Sequence, residues 1–159
     1  MTLSLVYSSC DPKIDTTPEK GTLPEAVLMR RSELEKSVKV EGPRKLHNPG
    51  KIYSYGTWLF VCEKYEGIHV YDNLDPTKPI NKSFLVIPGC QDMAVKNFYL
   101  YADNAVDLVT FHFLDLNQIE LVDRERNAFP EILPPNYTQM PTQFDADHRP
   151  DSTIIIAWK

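Results

Sequence analysis

Three aspartates stand closest to chemistry in this sequence. Asp92, Asp103 and Asp107 fall within the run QDMAVKNFYLYADNAVD, at the ends or turns of apolar segments. Carboxylates gathered on one rim could hold a cation, or divide into an acid and a base acting on a sugar. Turn capping is the plainer reading, because aspartate readily bonds its own backbone and paired-carboxylate catalysis depends on a separation in space that sequence spacing does not fix. His47, His69, His112 and His148 share no i, i+4 pairing, and Cys10, Cys62 and Cys90 form no C-x-x-C spacing. No metal centre is therefore expected. The chain has no G-x-S-x-G, no Walker loop and no G-x-G-x-x-G, so nucleophilic hydrolysis and nucleotide binding lose their usual support. No catalytic residue and no cofactor is assigned.

Cys62 sits in the apolar run WLFVC, where a free thiol behaves as a small hydrophobe. A Cys62–Cys90 disulfide is compatible with the sequence but cannot be derived from spacing. Tyr53, Tyr55, Trp58, Tyr65 and Tyr71 could line a ligand surface, although aromatics at period two more often form core or cross-strand pairs.

The elements that must position these residues are strands. WLFVCEKYEGIHVYD (58–72) is two short apolar strands around a charged turn, and YLYADNAVDLVTFH (99–112) echoes it. With one gap in the turn, Leu59 aligns with Leu100, Phe60 with Tyr101, Ile68 with Leu108 and Val70 with Thr110. A spacing of about 40 residues is that of one four-stranded propeller blade. In WLFVC both alternating faces are apolar, as in a strand covered from two sides. Strands are predicted over 51–55, 58–62, 67–71 and 81–87, then over 93–96, 98–102, 108–113 and 119–122, and again over 153–158. The corner from Asn73 to Pro79 is a strong stop signal, and Asn97 takes the turn that Gly56 marks in the first unit. Residues after Phe129 form a long proline-bearing excursion.

GTWLFVCEKYEGIHVYDNLDPTKPI resembles the LVIVD-repeat family of bacterial envelope proteins, through Gly67, Ile68, Val70, Asp72, Asp75, Pro76 and Pro79. In the second copy Asp107, Leu108 and Val109 fit, whereas His112 stands where Asp is usual and Leu116 replaces the proline. PRKLHNPGKIY and VIPGCQDMAVK resemble that family's lead-in segments, and IIIAWK the start of a further repeat. The resemblance covers about residues 32–129. It implies a mainly β chain with two propeller-like four-stranded blades, a partial β-propeller, at the bacterial envelope. The repeats would span about 50–91 and 92–130, with a third starting at 153–159.

The resemblance also bears on MTLSLVYSSC, since such proteins are often lipoproteins. Cys10 would then carry the lipid and residues 1–21 the tether. The apolar run Leu3 to Tyr7 is shorter than the ~7–15 residues of an h-region, and no Lys or Arg precedes it, so a frayed end with an incidental Cys10 stands beside that reading. Residues 22–49 read as a helical lead-in. Thr22 to Glu25 and Ser32 to Glu35 are capping-box patterns, and Leu28, Leu34 and Val38 could form an apolar side that covers a sheet edge.

At 159 residues, 42% hydrophobic and 25% charged, the chain can bury one core. Its net charge of −5 is interspersed, so neither nucleic acid nor a polybasic membrane contact is expected. No apolar run reaches the ~18 residues of a membrane span. The function expected is a non-catalytic binding or scaffolding module for a protein or carbohydrate ligand, recognised by loops on a β framework. Two other classes stay open: a propeller-type hydrolase or lyase using the turn carboxylates, and a structural subunit that self-associates through open blade edges.

Overall fold

A computed structural model of the chain describes residues 24–115 and 118–159. The expectations for residues 1–21, including lipidation of Cys10, lie outside the described residues. The remainder is mainly β and antiparallel.

The first apolar stretch and its flanks form an antiparallel meander of β3 (Pro49–Tyr55), β4 (Trp58–Glu63), β5 (Gly67–Asp72) and β6 (Ile80–Val86), extended past β6 by β2 (Lys39–Glu41). The echo forms a second meander of β7 (Met93–Lys96), β8 (Tyr99–Asn104), β9 (Asp107–Asp115) and β10 (Gln118–Glu125). The central hairpins of the two meanders share a register. Trp58 pairs with Asp72 and Glu63 with Gly67, as Tyr99 pairs with His112 and Asn104 with Asp107. The one-residue gap falls between Glu63 and Gly67, where the first copy has three turn residues and the second only Ala105 and Val106. Both short hairpin turns use positive φ, Gly56 at 59° in the first sheet and Asn97 at 51° with Phe98 at 66° in the second, the geometry that matches strand twist. At the corner after β5, Asp72 accepts from Leu74 N (3.1 Å) and Asp75 from Thr77 N (3.0 Å) and Thr77 Oγ1 (2.7 Å).

The two sheets share one core. Trp58, Phe60, Cys62, Ile68 and Val70 from the first meet Met93, Val95, Val109, Phe111 and Phe113 from the second. Aromatic rings fill the seam, with Trp58 and Phe60 centred 4.9 and 5.4 Å from Phe113. Each such buried side chain contributes about 1.5–3 kcal/mol relative to exposure. Tyr53 and Tyr55 pack against the same core, so these aromatics are structural.

The expected short N-terminal helix is corrected. Ala26–Arg30 is a strand, β1, paired antiparallel with β11 (Thr153–Trp158), and only one helical turn follows, α1 (Arg31–Leu34). Val27, Leu28 and Met29 find cross-strand partners in Ala157, Ile155 and Ile154, which outweighs a capping pattern worth roughly 1 kcal/mol. The turn begins at Arg30 rather than Ser32, and Glu35 sits at its C-terminal cap. Of the rest of the lead-in, β2 covers the outer edge of β6. A two-stranded ribbon is marginal alone. Here it is supported by a second cluster of Leu34, Ala105, Ile132, Ile155 and Trp158. No closed ring of sheets is formed by the described residues.

Candidate functional site

Strand alternation explains where a site can lie. In β4 the side chains of Trp58, Phe60 and Cys62 share one face, and their partners Val70 and Ile68 on β5 belong to it. That face is sealed by the second sheet. The equivalent positions of the second sheet are Tyr99, Tyr101 and Asp103, with partners Thr110 and Leu108. Leu100, Ala102 and Asn104 are buried, whereas Tyr99, Tyr101 and Asp103 are not. The face that is interface in the first copy is therefore partly open in the second.

An open cleft of ≈ 510 Å³ lies on it. Its lining takes in Tyr101, Asp103 and Leu108 with Ala94 of β7, the segment from Phe129 to Leu133, which serves as its lip, and Lys51 and Asp92. The lip is held from behind by Trp158, whose Nε1 donates to Ile132 O at 2.9 Å and whose ring meets Phe144 edge-on at 4.9 Å. Glu131 in the lip accepts from Arg149 Nη2 at 2.7 Å.

Of the three aspartates singled out in the sequence, two meet in this cleft. Asp103 Oδ1 accepts the backbone N–H groups of Gln91 and Asp92, each at 2.9 Å. Burial nevertheless dominates, and its carboxyl is pushed above the usual aspartate range against those two amides and the Cys90 thiol. Asp92 is exposed; its Oδ1 accepts from Lys51 Nζ at 2.5 Å and from Met93 N at 2.6 Å. Burial raises its pKa, but Lys51 and the Met93 amide together lower it more, so Asp92 is held below the usual range. Two neighbouring carboxyls are thus driven in opposite directions.

Asp107 does not join them. It is fully buried, gripped by Arg31 Nη1 and Nη2 (2.8 and 3.0 Å), Arg124 Nη1 (2.7 Å) and Asn127 N (3.1 Å). These donors outweigh burial and hold its carboxyl below the usual range. Its work is to fasten α1 and β10 to the start of β9. Turn capping describes part of what all three residues do, since each accepts at least one backbone amide.

Lys51, Tyr101, Phe129 and Glu131 escaped the sequence reading as cleft residues. Tyr101 could have been found, because it lies two residues before Asp103 and so on the same face. Phe129 and Glu131 carry no local signal; they are placed by distant partners, Phe129 N donating to Val106 O at 3.0 Å and Glu131 accepting from Arg149.

Among the described residues no group of three or more His, Cys, Asp or Glu could hold a metal ion, and no helix is long and apolar enough to cross a membrane. His69 is buried between Glu63 Oε2 (3.1 Å) and Asn81 Nδ2 (3.3 Å), against the Phe84 ring. No family model, no curated protein and no solved structure matches this chain.

Proposed function

We propose that this protein is a non-catalytic binding module whose ligand occupies the cleft beside β8, on a framework of propeller-type β-repeats. One observation carries the reading. At the positions where the first meander packs Phe60 and Cys62 fully into the core, the second places the half-buried Tyr101 and Asp103 along the cleft. A phenol, carboxylates and apolar floor residues in one concavity are the usual makings of a recognition site. Tyr101 and Phe129 offer flat surfaces, Asp92 and Glu131 accept hydrogen bonds from a donor-rich ligand, and Leu108 and Leu133 supply apolar contact. A carbohydrate or a peptide segment of a protein fits that chemistry. Placement at a bacterial envelope rests on the resemblance to LVIVD-repeat proteins.

The test is selective capture on a glycan array and a displayed peptide library, with the native chain and with Ala94→Trp. Ala94 is exposed, pairs with Tyr101 and lines the cleft, so the indole fills it without touching the core. Ligands retained by the native chain and lost by the variant support the reading. Retention by both places binding elsewhere, and retention by neither argues against a binding module.

A second reading has its own support. A carboxyl raised by burial beside one lowered by a cation is the split that acid/base catalysis uses. Asp103 would be the proton donor and Asp92 the base of a hydrolase or lyase. Polysaccharide turnover that disappears in Asp103→Asn while fold and capture persist would favour it. The commitment of Asp103 Oδ1 to two backbone amides favours the binding reading.

A further inference from the structure

Next to the cleft residues Gln91 and Asp92, two cysteines from different parts of the chain approach each other. Cys62 ends the apolar run of β4 and Cys90 lies in the loop joining the sheets; both are fully buried and their Sγ atoms are 4.0 Å apart. The backbone builds this approach. Tyr65 N donates to Cys90 O at 2.7 Å, Gly89 N to Tyr65 O at 2.9 Å and Cys90 N to Ile87 O at 3.1 Å, so the loop is tied to the β4–β5 turn on either side of the thiol. Two glycines permit the seat. A Cβ on Gly67 would lie 1.9 Å from Leu85 O, and one on Gly89, at φ +84°, would lie 2.7 Å from Ala105 N.

We propose that Cys62 and Cys90 form a reversible dithiol–disulfide site next to the cleft, oxidised by hydroperoxides. The contraction from 4.0 Å to the ~2.05 Å of a bond is of the size that side-chain rotation at two residues can supply. The sulfur of Cys90 also lies 3.7 Å from Asp92 O, and Asp92 and Asp103 line the cleft, so the cleft is the side from which a water-sized oxidant would approach the pair. Hydrogen bonding with Cys90 holds the Cys62 thiol below its ordinary range despite burial, while Cys90 is held high by that same neighbour and by burial. The sulfur of the pair that carries the charge is the attacking thiolate, Cys62 when Cys90 keeps the proton. The Cys62 sulfur takes one peroxide oxygen as the O–O bond breaks and hydroxide leaves, giving a sulfenic acid. Cys90 sulfur, losing its proton, then attacks Cys62 sulfur; the S–S bond forms, the S–O bond breaks, and the second oxygen departs as water. Two thiols and one hydrogen peroxide become one disulfide and two waters.

The experiment is titration of the full chain with hydrogen peroxide, followed by alkylation, intact mass and non-reducing peptide mapping. The expected result is loss of two hydrogens, a peptide linking Cys62 to Cys90, reversal by dithiothreitol, and a rise in Tm of roughly 5–10 °C in the oxidised form. Cys10→Ser keeps the link and Cys90→Ser abolishes it. Oxygen added to Cys62 or Cys90 without a link overturns the proposal. So do thiols that stay alkylatable at peroxide levels that oxidise free cysteine, and a link made through Cys10.

Discussion

One face occurs twice in this molecule, with opposite fates. In the first sheet Trp58, Phe60, Cys62, Ile68 and Val70 are buried against the second sheet. In the second sheet the matching Tyr99, Tyr101, Asp103, Leu108 and Thr110 include the wall of a cleft. Both copies keep the backbone pairing, and the side chains alone decide between seam and site. Two hairpins can thus share a register while one face of the second is released from packing. The carboxylates that hold the incoming chain differ in the same sense. Glu63, sealed at 2% exposure, accepts the N–H groups of His47 (2.9 Å) and Asn48 and meets His69 at 3.1 Å. Burial would raise it, but those partners hold it below the usual range. Asp103 holds Gln91 and Asp92 in the matching place ahead of β7, and there burial wins.

The largest test of this contrast is a pair of truncations at matched positions. Phe60→Ala should cost about 3–5 kcal/mol in urea unfolding, whereas Tyr101→Ala should cost about 1 kcal/mol or less and reduce capture instead. Similar losses at both sites would erase the distinction between seam and cleft. Next in size, Glu63→Ala leaves two amides and a buried imidazole without their acceptor and should cost about 2–4 kcal/mol. A loss under about 1 kcal/mol would mean that water replaces the carboxylate without penalty.

Acid should separate the two clamps by sign. Glu63 and Asp107 have lowered folded pKa values, so their contribution is present above the ordinary carboxylate pKa of about 4 and is lost as pH falls through the folded values. Asp103 is raised; its contribution is present below about pH 4 and is lost as pH rises through its folded value. Glu63→Gln should flatten the acid limb of stability measured from pH 3 to 7. Asp103→Asn should steepen the net gain in stability from acid to neutral pH, shifting stability at pH 7 by about 1 kcal/mol or less, toward the variant. Identical acid profiles for the two variants would contradict the sign difference. The smallest effect belongs to Lys51 and Asp92, which are 48% and 67% exposed. Lys51→Ala should change stability by about 0.5 kcal/mol or less and only at low salt; a larger, salt-insensitive loss would place Lys51 in the packing of the cleft.

Strands were legible because their signal is local. WLFVC is apolar on both faces, and the stretches 58–72 and 99–112 each fold as an antiparallel strand pair, closed by Glu63 with Gly67 and by Asn104 with Asp107. What was missed depends on distant partners. β1 looks helical from its own residues and becomes a strand because of Ile154, Ile155 and Ala157 at the far end of the sequence. Asp107 resembles any turn acid until Arg31, 76 residues away, closes on it. Asp92 and Asp103 were found by residue type, but the lip that makes their surroundings a cleft is positioned by Trp158.

The β1–β11 ribbon has a mechanical side. Glu25 and Lys159 exchange two backbone hydrogen bonds, of 3.1 and 3.0 Å, at the same end at which Ala26 faces Trp158. Tension applied between residues 25 and 159 therefore loads the ribbon as a zipper, one rung at a time, rather than in shear with all rungs sharing the force. Peeling begins at the Glu25–Lys159 rung and next reaches Trp158, which holds Ile132. A weak pull would thus loosen the cleft's lip while the seam of Phe60 and Phe113 still holds the two sheets together.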